Sequence, residues 1–588
     1  MANSDSSDDK KAAEQTASDE IENTEDDLED EFAAFEAEAK AAAAKAMSGM
    51  SGGAAAAASG EAAEAADDIE DDEDEDDDFA AFEAAARAAA AGAMANMGGG
   101  AAGSGAAEDP APAQQATPAE TAQDDSADEA EEKSATEAAP VADDGKSAAI
   151  AAAAEHIKAT SEKLFGKTPG MKSQTILVVG GGIAGVTAAL EAAETGYDVI
   201  LLEKEPFLGG RVTRLNRYFP KMCHPTCGLE INYQRIKRNP RLKVITMAQV
   251  QDVSGSRGDY TVTVKTTPRY TTSACDGCGL CAEAVESEVP NPFNYGLDKT
   301  KAVRLSHEHA FPMAYVIDPS IIGTPEADKV KDACPKGAVD FEQTEETFDL
   351  NIGAIIWATG WKPYNASKIE VYSYDKCDDI INNVEMERLA NHDGPTGGKI
   401  LRPSNGEEVK KIAMIQCAGS RDINHLAYCS MICCLASLKH AAYVREQYPD
   451  AQIDIYYIDI RAHDKMSQFY ERIKRDENIN FIKSKPAHIK ISDDGRPVVC
   501  GERTIDRDLY ENDYDLVVLA TGMQPALEAD FAPADLKRDE FGFVVPSEGD
   551  GEGQFSAGVA GGPFDVALSN QSATAAALKA IQAVRAGS

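Results

Sequence analysis

Eight of the twelve cysteines in this 588-residue chain fall into two groups whose spacing could hold metal. The first is Cys275-x2-Cys278-x2-Cys281, followed at a distance by Cys334-Pro335. Three thiolates at that spacing can wrap one face of an iron–sulfur cubane, and a distant Cys-Pro supplies the fourth corner. A full ferredoxin run would put another cysteine at position 285. Val285 stands there instead, so this insertion is expected to carry one cluster rather than two. Four cysteines would also suit zinc, and the plainest alternative is a set of buried thiols. The second group is Cys417, Cys429, Cys433 and Cys434. Adjacent residues diverge by about 100° around a helix, so Cys433 and Cys434 cannot both face a metal from a regular helix interior. At a helix N-terminus, with Cys417 and Cys429 arriving from the preceding loop, the four can converge. The helix dipole would then favour an anionic cluster. The spacing is no general motif, and physics alone leaves cluster and buried thiols open.

Gly180, Gly182 and Gly185 form G-x-G-x-x-G, with Ile183 and Ala184 inside it. The first glycine permits a tight turn, the second lets backbone approach a pyrophosphate, and the third lets helix and strand pack closely. The pyrophosphate would sit at the positive end of the helix. Glu203, with Lys204 beside it, comes where an acid binds a ribose hydroxyl. Gly210 and Arg211 follow in LGGRV, as in FAD-dependent reductases and oxidases, so FAD is expected rather than NAD. Thr359 and Gly360 end a later strand and complete the expected cradle. The chain end, FSAGVAGGPFDV, resembles the closing segment of thioredoxin-reductase-like flavoproteins, where a helix aims its N-terminus at the isoalloxazine. Many such proteins have Asp after the Ala-Gly; here Val559 follows Gly558, so backbone amides of Gly561 and Gly562 are expected to take over. Lys439, five residues past Cys434, either points at the flavin edge or is an exposed helix lysine. Cys223-x3-Cys227 is either a redox dithiol or two buried thiols, and His224 between them is no convincing ligand.

These residues need elements to position them. QTILVVGGG reads as a buried strand, IAGVTAALEAAETG as a helix closed by Gly196, and YDVILLEKE as a second strand, a β-α-β unit. NIGAIIWATG and DYDLVVLATG are buried strands that both end in Ala-Thr-Gly. Between them KKIAMIQC, a helix over 433–447 and QIDIYYIDIR form a second β-α-β unit. Where its nicotinamide phosphate loop would be, the sequence runs CAGSRDINHLAYCSMICCLASLKHA. No NAD(P) site is expected in this domain.

Charge divides the chain. Residues 1–150 hold 41 acids and 7 bases, a net of −34, whereas the other 438 residues net −11. The first stretch is poor in large apolar residues and cannot offset the entropy of ordering it, so disorder is expected. It contains a repeat, EFAAFEAEAKAAAAKAMSGM (31–50) and DFAAFEAAARAAAAGAMANM (78–97), read as two short helices that either fray or dock a partner. No signal peptide or run of about 18 apolar residues is visible, and no basic face offsets the negative field. Nucleic acid and a direct membrane span are therefore not expected. Cysteines without an export signal point to metal or redox chemistry in the cytoplasm.

CDGCGLCAEA, VPNPFNYGLDKTKA, CAGSRD…YCSMICCLASLKHA and AGVAGGPFDV together resemble the A subunit of heterodisulfide reductase over about 174–588. Within that family RYFPKMCHPTCGLEINYQRIK is most similar to the A subunit of the quinone-interacting membrane-bound oxidoreductase. The resemblance implies FAD, two 4Fe–4S clusters and a lysine near the flavin at Lys439. It also implies partners: adenylylsulfate reductase, a flavin/iron–sulfur subunit and a quinone-reactive membrane subunit, with peripheral membrane attachment through them. A bifurcating heterodisulfide-reductase-type subunit is the alternative enzyme; a scaffold or interaction protein is the alternative of another class.

The expected fold is α/β, a thioredoxin-reductase-like pair of Rossmann-type domains with a ferredoxin-like insertion behind a disordered acidic tail (1–150). The FAD-binding domain is expected over 174–270, 346–400 (this segment together with a linker) and 508–588, the insertion over 271–345, and the second Rossmann-like domain over 401–507. Deleting residues 1–150 should leave flavin content, iron content and melting temperature nearly unchanged. A large fall in any of the three would show that the acidic segment packs on the body.

Overall fold

The computed structural model describes residues 172–219, 221–463, 465–527, 536–545 and 553–586. The acidic segment and its two repeats lie outside them. In chain order the elements that build the two main sheets and their covering helices are β1 (Ile176–Val179), α1 (Ile183–Glu194), β2 (Val199–Glu203), α2 (Thr226–Arg238), β3 (Leu242–Thr246), β4 (Ala354–Trp357), β5 (Ile380–Asn382), α3 (Asn383–Ala390), β6 (Lys411–Ala418), α4 (Cys433–Gln447), β7 (Gln452–Tyr457), α5 (Met466–Lys474), β8 (Ile479–Lys483), β9 (Leu516–Thr521), β10 (Gln554–Ser556) and α6 (Val566–Ala586).

The first sheet runs β10-β4-β1-β2-β3, all parallel. Its strands are short Val/Ile/Leu runs, as a sheet covered on both faces requires. Alternation along β1 sends Ile176 and Val178 toward α1 and α6, where Val186, Leu190, Ala573, Ala577 and Ala580 pack on them. Leu177 faces the other way, onto Val262, Val264 and Ile352 of a three-stranded antiparallel sheet (Ala248–Ser256, Asp259–Thr266, Glu346–Ile352).

The second sheet runs β5-β9-β6-β7-β8, again all parallel. Helices α3, α4 and α5 cover one face through Met386, Leu438, Val444 and Ile473. The other face packs on Tyr372, Ile489, Val499 and Tyr514. Helix α3 starts on a capping box: Asn382 accepts from Val384 and Glu385 amides, and Glu385 reaches back to the Asn382 amide. The chain crosses between domains twice, and the crossings pair antiparallel as Trp361–Pro363 with Met523–Pro525. The second domain is thus inserted between β4 and β10 of the first.

Two expected boundaries move. Strand β5 and helix α3, placed by sequence in the 346–400 segment of the first domain, belong to the second sheet. The return expected at 508 comes later, because β9 inserts between β5 and β6 and only β10 rejoins the first sheet. Buried parallel strands look alike in sequence, so the repeated Ala-Thr-Gly ending could not say which sheet each strand joins. Residues 271–345 form a small body around Cys281, Val285, Val303, Ile317 and Val330, with short helices Leu280–Glu283 and Pro325–Asp332.

Helix α1 lies so close to β1 that a Cβ at Gly185 would stand 1.7 Å from the Gly180 carbonyl oxygen. Gly185→Ala must push helix and strand apart, and should cost about 1–3 kcal/mol of stability in urea unfolding.

Candidate functional site

A cavity of about 630 Å³ opens at the carboxyl ends of β1 and β4 and extends under α4 of the second domain. Gly180, Gly182, Ile183, Ala184, Glu203, Lys204, Gly210, Arg211, Thr359 and Gly360 all line it. The structure supplies reasons for each end of this cradle. Gly180 has φ +108°, and a Cβ there would stand 2.3 Å from the Ala358 carbonyl oxygen. A Cβ at Gly182 would meet open space, the room that a phosphate group needs. No side chain caps α1 and its first turn holds no acid, so its N-terminal amides are free to receive an anion. Thr359 Oγ1 is buried on the same wall without a hydrogen-bond partner. These features fit a dinucleotide.

Glu203 is fully buried, which raises its pKa to about 7, although the amides of Glu205 (2.8 Å) and Gly181 (2.6 Å) donate to its carboxylate. Arg211 is pinned by Trp361 O and the Tyr295 hydroxyl and stacks 4.9 Å from the Trp361 ring. Gly185 serves the helix–strand contact rather than the cavity. Gly558, Gly561 and Gly562 do not line the cavity: the Gly558 amide donates to Ser572, and a Cβ on Gly561 would run into Ser556. Val559, Asp565, Val566 and Ala567 form that end of the wall instead.

Lys439 lines the cavity and is not an exposed helix lysine. Its ammonium pairs with Glu387 (2.9 Å) and donates to Arg217 O (2.7 Å). Glu387 also holds His440 (2.7 Å) and accepts from the Asn216 amide and the Tyr443 hydroxyl. Burial alone would raise the pKa of Glu387, but Lys439 and His440 outweigh it and pull the carboxyl down to about 2. Sequence reading missed Glu387, which sits in an ordinary helix, INNVEMERLA, with no local signal.

The four cysteines of the second group line one small cavity together with Arg421, Met431, Asp459 and Arg461. Helix α4 begins at Cys433, so Cys433 and Cys434 occupy its first turn. A bulge between Ile415 and Ala418 in the β6–β9 pairing carries Cys417, whose φ is +56°. The Cys433 thiol and Arg421 lower the Cys417 pKa to about 7, and burial pushes Cys434 up to about 11. In the first group Cys281 is buried, Cys275 and Cys334 are half-buried and Cys278 is exposed. Burial and the neighbouring Cys275, Cys334 and Cys278 raise Cys281 to about 11. Gly277 and Gly279, both at positive φ, let this loop turn back between its cysteines. Among the described residues no three His, Cys, Asp or Glu side chains converge closely enough for a single ion. A cubane, with an iron at each of four corners, asks its thiolates to stand farther apart. The Tyr218 amide donates to the Cys223 carbonyl (3.1 Å), and Tyr218 lines the large cavity, while Cys227 is exposed and both thiols are free. His224 is occupied by Thr226 and Asn391.

A family model described as FAD dependent oxidoreductase matches residues 175–283. The A subunit of the ferredoxin/F420H2-dependent CoB–CoM heterodisulfide reductase of Methanosarcina acetivorans is 38% identical over 428 residues, 71% of this chain and 54% of that protein. The second iron–sulfur A subunit of the CoB–CoM heterodisulfide reductase of Methanopyrus kandleri is 39% identical over 424 residues, 70% of this chain and 64% of that one. The chain therefore spans about half to two thirds of the length of the curated relatives it matches. Thioredoxin reductase of Lactococcus lactis aligns with a TM-score of 0.40 and 14% identity, covering 70% of this chain and 100% of that structure.

Ribose hydroxyls donate to an ionised carboxylate. Without flavin, Glu203 keeps its proton up to about pH 7, above the ordinary value of 4.5, so it costs the fold stability as pH rises between those values. Binding of FAD should release that proton. The affinity of deflavinated protein for FAD, followed by flavin fluorescence, should rise from pH 5 to pH 7 and level off above. Glu203→Gln should bind more weakly with no such slope. Gly182→Ala should lose flavin while melting as the parent flavin-free protein does.

Proposed function

Because the chain is a relative of the A subunit of heterodisulfide reductase, we propose that it is an electron-relay subunit with FAD in the large cavity and a 4Fe–4S cluster on each cysteine group. The observation that carries this reading is one shared helix. The first turn of α4 presents Cys433 and Cys434 to the small cavity, and Leu435, Ala436 and Lys439 of the same helix line the flavin cavity. Met431 lines both. Five residues of helix separate Cys434 from Lys439, about 7–8 Å along the axis. FAD would exchange electrons in pairs or singly and an iron–sulfur cluster only singly, so adjacent sites would convert one traffic into the other. The protein supplies position and charge: Glu387 fixes the Lys439 ammonium at the cavity wall, where it favours negative charge on whatever is bound.

The partners we propose are, on one side, adenylylsulfate reductase and, on the other, a quinone-reactive membrane subunit with its flavin/iron–sulfur companion. The support is the resemblance of RYFPKMCHPTCGLEINYQRIK to the quinone-interacting complex, and relatives named as subunits of multi-subunit reductases. No helix among the described residues is long and apolar enough to cross a membrane. A bifurcating subunit is the second reading, favoured by relatives whose names join ferredoxin to heterodisulfide reduction.

Anaerobically purified protein should hold about one FAD and about eight irons per chain, four for each cluster. Cys434→Ser should abolish one reduced-cluster EPR signal and spare the other. An iron count near four with normal flavin would remove one cluster, and survival of both signals would remove the 417–434 assignment. NADH or NADPH alone should not bleach the flavin at a useful rate.

A further inference from the structure

We propose that Arg421 is the positioning residue of the Cys417–Cys434 group, held by Asp459 as a fixed positive charge beside the cysteines and so raising the reduction potential of the cluster bound there. The inference rests on the reading that these four cysteines hold a 4Fe–4S cluster.

Arg421 lies four residues past Cys417 in the loop that leaves β6, and both line the same cavity. Its guanidinium bonds the Asp459 carboxylate, and its positive charge lies on the same cavity wall as Cys417. Asp459 reaches the site from the chain just beyond β7. It also bonds Arg461 (3.5 Å), and its carbonyl accepts from the Cys434 thiol (3.6 Å). One carboxylate therefore orients two guanidinium groups beside the cysteines, and the three side chains leave one positive charge over. Guanidinium stays charged at any working pH, and Asp459 holds this one on the cavity wall.

The backbone argues against a mere surface tie. Cys417, Arg421 and Met431, all around this cavity, have φ of +56°, +55° and +56°. Each non-glycine residue in that region costs more than a partly exposed ion pair returns. The loop accepts strain at three places around the cavity that Cys417 and Arg421 share. Reduction adds one negative charge to a cluster. A fixed positive charge beside it stabilises the reduced state, and charge is one of the factors that set such potentials.

The test is an anaerobic redox titration of the full chain read by EPR, on the signal that Cys434→Ser removes. Arg421→Met should keep flavin and iron and shift the one-electron equilibrium toward the oxidised cluster at least tenfold, ~59 mV. The signal assigned to the Cys275 group should not move. Arg421→Lys keeps the charge and should shift much less than Arg421→Met. An unchanged midpoint in Arg421→Met with full iron overturns the proposal. If that variant loses iron, the titration is read on Arg421→Gln, where an unchanged midpoint likewise overturns it. If Cys434→Ser removes no signal from the parent, the cluster reading has failed, which is a different result from an unmoved midpoint.

Discussion

One buried carboxylate holds the two dinucleotide-type domains against each other. Glu387, on α3 of the second domain, accepts from the Asn216 amide of the first and pairs with Lys439 on α4. Lys439 in turn donates to Arg217 O, also of the first domain. Such a pair adds little net stability over an apolar substitute, but losing one partner strands a buried charge at about 3–5 kcal/mol. With Glu387 depressed to about 2, its contribution is complete above the ordinary carboxylate value and lost only as pH falls through the folded one. An apolar contact would tolerate sliding. A carboxylate with four partners tolerates very little, so α4 is fixed over the flavin cavity and carries Cys433 and Cys434 with it.

Both cavities obey the same rule of parallel sheets, that ligands gather outside the carboxyl ends of strands. In the first domain the ends of β1 and β4 contribute Gly180 and Thr359. In the second, the bulged end of β6 contributes Cys417, the crossover after it Cys429, and the helix that follows Cys433 and Cys434. A glycine loop would bring backbone amides to a phosphate there. This chain instead uses a strand bulge and strained loop residues to bring thiols. The crevice survives the change because the topology makes it, whatever side chains fill it.

What could be read from sequence was local. The glycine motif, Glu203 and the Gly-Gly-Arg that follows act within about thirty residues, and each lines the expected cavity or the helix packed on it. The start of α4 at Cys433 follows from the need to aim adjacent cysteines at one point. What could not be read was set by distant partners. Glu387 lies 52 residues from Lys439, Asp459 lies 38 from Arg421, and nothing in either stretch marks the pairing. The sheet membership of β5 and β9 is of the same kind, because a buried parallel strand shows only that both its faces are covered. The Gly561 and Gly562 expectation differs for another reason: the Gly561 amide donates to the Gly558 carbonyl within a tight turn, and Val559, Asp565, Val566 and Ala567 line the cavity there.

The shared helix also constrains how charge is distributed. Cys433 and Cys434 sit at its positive end, and Lys439 adds a cation one and a half turns along. Acids near these positions are already committed: Glu387 to Lys439 and His440, Asp459 to Arg421 and Arg461. The region between the cavities is therefore held slightly positive by charges that cannot rearrange without breaking a buried or bridged pair. A fixed field of that sign favours electron-rich states on both sides of the helix. It does so without reorganisation when an electron arrives, which is what separates a relay site from a patch of ordinary surface charge.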